Sequence, residues 1–185
     1  MRSLLVTAAA IAAIAAGSAN AGPPQRRGVP EYGLYVGFPA HPAACPAESG
    51  SHLHGWVLPL VGDCERHARS VVLWADWNVL FFPSPAEAAF CSQKEGGSLA
   101  AGAKFNLSFP GRPSATCVRT KADGTLLITV VTQAWRQPDA RADDPESQTP
   151  WVNYYAYLST DAAHLPGDLP GFRAVLAGVS LRLPN

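Results

Sequence analysis

Four cysteines, Cys45, Cys64, Cys91 and Cys117, are separated by 18, 26 and 25 intervening residues. No two are close enough for the C-x-x-C pairs from which zinc sites are usually built. An even number at wide spacing reads instead as two disulfides closed in an oxidising compartment. Four cysteines allow three connectivities. The sequential one, Cys45 with Cys64 and Cys91 with Cys117, is favoured because each bridge closes a modest loop between neighbouring elements. By the chain-entropy model each is worth about 3 kcal/mol.

The N-terminus agrees with that compartment. Arg2 supplies a positive start, residues 4–16 are apolar and uncharged, and Ser18-Ala19-Asn20-Ala21 ends in a small-x-small pattern. This is the anatomy of a secretory signal, with cleavage expected after Ala21. The apolar stretch is shorter than the roughly 20 residues that span a bilayer. The reading is therefore a signal peptide over 1–21, a flexible leader over 22–30 and one domain over 31–185, periplasmic or secreted, with no membrane anchor after cleavage. Without Arg2 the chain carries 13 basic and 14 acidic side chains. That balance gives no electrostatic ground for a nucleic-acid partner.

Periodicity supplies the elements. Tyr32, Leu34, Val36 and Phe38 alternate within 31–38 as in a half-buried strand. Residues 55–61 are apolar but contain Pro59, which suits an edge strand. The run SVVLWADWNVLFF over 70–82 predicts a central strand, bulged near Asp76. Ser84, Pro85 and Glu87 form a capping box that opens a helix expected to last until Gly96-Gly97 and to carry Cys91. Strands are expected over 105–109, 114–120 and 125–135, the last two joined at Ala122-Asp123-Gly124. Residues 136–150 read as a charged surface loop. WVNYYAYLST over 151–160 should pair with the preceding strand. A last helix, capped by Asp168, carries Phe172, Val175, Leu176 and Val179 on one stripe, and a short strand closes the chain at 181–183. The fold class is α+β: an antiparallel sheet with two helices packed on it, stapled by two disulfides.

The segment VNYYAYLST, a polar loop, then GFRAVLAGVSL resembles the closing part of PsbP/Mog1-like domains. The resemblance covers 152–181 and implies an α/β sandwich used mostly for binding.

Candidate chemistry is sparse. His52 and His54 are spaced to reach one copper or zinc ion from an extended segment, but no third ligand stands close in sequence. Ser49-Gly50-Ser51-His52 has hydrolase letters without the G-x-S-x-G elbow. Asp76 is an acid inside an apolar strand, sharing a face with Trp74 and Asn78, the pattern of a small polar pocket with an aromatic wall. A hydrolase pairing Asp76 with a histidine is thus the enzymatic alternative. Trp151, Asn153, Tyr155 and Tyr157 alternate onto one face of the last long strand, and that face, with the adjoining loop, is the expected contact surface. The function expected is that of an exported, non-catalytic binding domain, without cofactor, for a protein or small-molecule partner in the periplasm.

Overall fold

The computed structural model describes residues 25–39, 43–47, 54–78, 80, 82–92, 95–135 and 150–182. The expected signal peptide, His52 and nearly all of the 136–150 loop lie outside them. Ten strands are described: β1 (Gln25–Val29), β2 (Leu34–Phe38), β3 (Cys45–Pro46), β4 (His54–Gly62), β5 (His67–Trp77), β6 (Gly97–Ser98), β7 (Ser114–Thr120), β8 (Leu126–Trp135), β9 (Trp151–Thr160) and β10 (Val179–Leu181). Three helices accompany them, α1 (Pro85–Ala88), α2 (Leu99–Ala103) and α3 (Leu165–Ala177).

The apolar runs form a seven-stranded antiparallel sheet in the order β3-β4-β5-β9-β8-β7-β6, and β1-β2-β10 form a second, three-stranded sheet. Every pairing is antiparallel. The expected β7–β8 hairpin is present. Gly124 adopts φ +83, the left-handed region open to glycine, and Lys121 and Thr125 are bonded across the turn at 2.8 Å. Cys45 is bonded to Cys64 and Cys91 to Cys117.

Alternation then decides the layers. Val71, Leu73 and Ala75 of β5, Ile128 and Val130 of β8, and Val152, Tyr154, Ala156 and Leu158 of β9 share one face and are buried. They meet Leu34, Val36 and Phe38 of β2 and the stripe Phe172, Val175 and Leu176 of α3 in a single apolar cluster. Each of the larger aliphatic and phenyl side chains among them contributes about 1.5–3 kcal/mol on burial. The Tyr154 hydroxyl, deep in this layer, donates to the Tyr32 carbonyl at 2.6 Å. The small sheet and α3 therefore cover one face of the large sheet, which leaves the opposite face for α1 and its flanking loops.

Several expectations need correction. Gln25–Val29, expected to be loose, pair with β2, because a ladder uses backbone groups and tolerates polar side chains. The helix expected from Ser84 to Gly96 lasts one turn: Ser84 caps the Glu87 amide, but Phe90 turns to φ +48 and the chain leaves toward the Cys91–Cys117 bridge. A separate five-residue helix, α2, follows, so among the described residues the expected two helices on a sheet are three, one long and two short. Residues 105–109 form no strand; Leu107 and Phe109 reach the core from a loop whose Phe109 amide donates to Ser114 Oγ. No bulge occurs at Asp76, which pairs in register with Asn153; the irregularity lies in β4 between Pro59 and Gly62. Asp168 does not cap α3, whose N-cap is His164, and the closing strand is Val179–Leu181, two residues earlier than expected.

Candidate functional site

On the face of the large sheet away from the main core, register sets side chains in rows. Asp76 of β5, Asn153 of β9 and Gln133 of β8 form one row; Trp74, Tyr155 and Val131 form the next. Tyr157 and Thr129 follow, with Cys117 beside them on β7. Ala88 and Ala89, at the end of α1, pack on Cys117, Val131 and Tyr155, and the Cys91–Cys117 bridge fixes this cover to β7.

The amide row anchors the connection out of β5. The Asn78 side chain donates to the Phe82 carbonyl at 2.8 Å and accepts from the Phe82 amide at 2.9 Å. Gln133 Nε2 donates to the same carbonyl and to Asn153 Oδ1, each at 2.9 Å. Asn153 Nδ2 completes the circuit onto Asn78 Oδ1 at 3.2 Å. These amides satisfy one another and the Phe82 backbone, so their work is to position. They hold Phe82 over the sheet, with Phe90 edge-on against it at 4.7 Å. Between them and the sheet lies a recess of about 80 Å³, whose lining includes Asp76, Asn78, Asn153, Tyr155, Phe82 and Phe90.

The recess has an aromatic flank. Trp74 stands edge-on to Tyr157 at 4.9 Å and to Tyr155 at 5.8 Å, and the two tyrosines stack at 6.0 Å. Burial pushes the Tyr155 hydroxyl up to about 12; the Asp76 charge adds to this and a hydrogen bond with Asn153 offsets it. Tyr157 is raised as well, by burial first and then by Tyr155 and Asp76, against the opposing charge of Arg119. Trp74 Nε1, Thr129 Oγ1 and Arg119 Nε are buried on this face without a hydrogen-bond partner among the described residues.

Of the residues expected to form an exposed strip, Asn153 and Tyr155 are buried, at 2% and 7% exposure, and Tyr157 is half-buried. Trp151 is open at 41%. The strip is thus not a free surface: the 82–91 segment, invisible as a cover in strand alternation, lies over its middle. The expected pocket of Trp74, Asp76 and Asn78 is more nearly met, since Asp76 and Asn78 line the recess and Trp74 packs behind Tyr155. Sequence reading missed Phe90, Leu80, Gln133 and Trp135. Phe90 is half exposed, at 50%, on a left-handed backbone that a non-glycine residue adopts at some cost.

The described histidines lie elsewhere. His54 pairs with Ala75, hence on the opposite face from Asp76, and stacks on Tyr32 at 4.5 Å. His164 bonds Asp161 at 2.8 Å, holding that carboxyl below its usual range, and His67 opens β5 at the far end from Asp76. Among the described residues no group of three or more His, Cys, Asp or Glu is placed to hold a metal ion, and no helix is long and apolar enough to cross a membrane. The chain matches no protein-family model and no curated protein sequence.

Proposed function

We propose that the chain is an exported, non-catalytic binding domain that meets a protein partner on the rim of the Asp76 recess. One observation carries this reading. Of the seven large apolar side chains exposed among the described residues, four gather there: Leu80 at 66%, Trp135 at 53%, Phe90 at 50% and Trp151 at 41%. Leu80 and Phe90 line the recess, the Trp151 carbonyl accepts from the Asn78 amide at 3.0 Å, and Trp135 pairs directly with Trp151. Clustered exposed aromatics beside a polar recess are the usual composition of an interface anchor. A recess of about 80 Å³ is well below the roughly 300 Å³ at which small-molecule pockets begin, but one inserted side chain fills it. Export is supported by the two disulfides and by the signal-like N-terminus.

A photo-crosslinking residue placed at Trp151 or at Phe90, in intact cells making the chain with its own N-terminus, tests this. A discrete protein adduct at both positions, absent from the exposed control position Ala174 on α3, is the expected result. Equal labelling at all three positions, or none at any, overturns it.

A further inference from the structure

The small sheet turns its other face away from the core, and there three glycines shape a cavity. Tyr35, Gly37 and Arg26 share that outer face with Gly28, since Arg26 pairs with Gly37 and Gly28 with Tyr35. Ser180 of β10 stands beside Tyr35. A Cβ at Gly28 would meet the Tyr35 ring at 2.7 Å, so glycine lets that ring lie over β1. A Cβ at Gly178 would meet the Gly37 carbonyl oxygen at 2.8 Å. At Gly37 itself a Cβ meets nothing within 4 Å, because it would project into open space. That space is a cavity of about 400 Å³, lined by Arg26, Arg27, Arg182, Tyr35, Gly37 and Gly178 among others.

Its charge is one-sided. Of the three arginines in its lining, Arg26 sits on the outer face opposite Gly37 and Arg182 follows β10, whereas Arg27 pairs with Val36 and so sides with the other face. Among the described residues no acidic side chain lines the cavity, and neither Arg26 nor Arg182 forms an ion pair. Arg182 donates to Ser180 Oγ at 3.2 Å. This neutral acceptor orients the guanidinium without cancelling its charge. In a chain with 14 basic and 14 acidic side chains, such a concentration has no counterpart in overall composition. Guanidinium forks match the paired oxygens of phosphate and carboxylate, and two positive charges favour a ligand with more than one negative charge. The volume lies within the range of small-molecule sites, about 300–1,000 Å³.

We propose that this cavity binds a small phosphate-bearing molecule, on the opposite side of the domain from the aromatic rim and independently of it.

Calorimetric titration of the purified protein with pyrophosphate, and separately with citrate, tests the assignment at fixed ionic strength. Pyrophosphate is expected to bind at millimolar concentration or tighter, to weaken as salt is raised, and to bind more tightly than citrate. The double substitution Arg26→Ala, Arg182→Ala should weaken it at least about ten-fold. Gly37→Leu projects into the cavity from a position where a Cβ meets nothing within 4 Å and keeps Arg26 and Arg182, so it separates loss of the site from loss of the fold; it too should abolish binding while the melting temperature holds. Citrate binding as tightly as pyrophosphate overturns the phosphate assignment. Unaltered pyrophosphate binding in Gly37→Leu, or none in the wild type, overturns the site.

Discussion

Arg69 on β5 and Asp168 in α3 meet at 2.9 Å, and the same carboxylate accepts the Thr160 hydroxyl of β9 at 2.6 Å. One acid thus ties the long helix to two central strands of the large sheet. The side chains are only 20% and 11% exposed, so removing the acid strands a poorly solvated guanidinium. Asp168→Ala is expected to lower stability by about 2–3 kcal/mol. Urea unfolding measures this, and a loss below about 0.5 kcal/mol would mean that the pair does not hold the helix.

The covered middle and the open end of the β9 aromatic strip should respond differently to truncation. Tyr155→Ala empties a site 7% exposed and should cost about 3–5 kcal/mol. Trp151→Ala, at 41% exposure, should cost about 1 kcal/mol or less while removing the adduct formed from a crosslinking residue at Phe90. Thermal melts of the two variants side by side decide it. Equal destabilisation would place Trp151 in the core.

The difference between these residues marks where sequence reading stopped. Alternation in β9 separated Val152, Tyr154, Ala156 and Leu158 from Trp151, Asn153, Tyr155 and Tyr157 correctly, and the former are core. Which segment covers the second set depends on a contact between residues 82–91 and β7 to β9, and a period-two pattern carries no information about that. The Ser84 cap on the Glu87 amide was legible because it is local. The length of the helix was not, because the bridge from Cys91 to Cys117 ends it. Leu107 and Phe109 alternate like a strand and are buried like one, yet lack a partner strand. The arginine cavity was illegible for a related reason: its residues come from three strands, and its shape comes from side chains that are missing at glycines.

Both disulfides should be closed in the native protein, and thiol titration after denaturation without reductant should find none free. They should differ in access. Cys64 is exposed, whereas Cys117 is fully buried beneath α1. Mild reductant with alkylation and peptide mass mapping is therefore expected to label Cys45 and Cys64 first. Labelling of Cys91 and Cys117 first would contradict the packing of α1 on the sheet.

Buried tyrosines make stability fall at high pH. Tyr155 ionises near the ordinary value of 10 when unfolded but near 12 when folded, so the unfolded chain loses its proton first. Its contribution is complete below pH 10 and is lost as pH rises toward about 12, at most about 3 kcal/mol. Tyr154 and Tyr157 shift in the same direction through burial. Denaturant midpoints measured across this window should decline, and Tyr155→Phe should make the decline shallower. An unchanged slope in Tyr155→Phe would show that this hydroxyl is reached by water.

Both edges of the seven-stranded sheet end in strands of two residues, β3 and β6. Cys45 lies within β3 and is held to Cys64. On the other side, Gly97 of β6 donates its amide to the Ser92 carbonyl at 2.8 Å, next to Cys91 and its bridge. Such brief edges offer little backbone for another chain to pair with, while β4 and β7 behind them offer nine and seven residues. The cystines therefore guard against strand addition as well as stabilising the fold. A chain whose cystines are still open is expected to present longer ladders to its neighbours, so its greatest exposure to aggregation falls before closure of these two bonds.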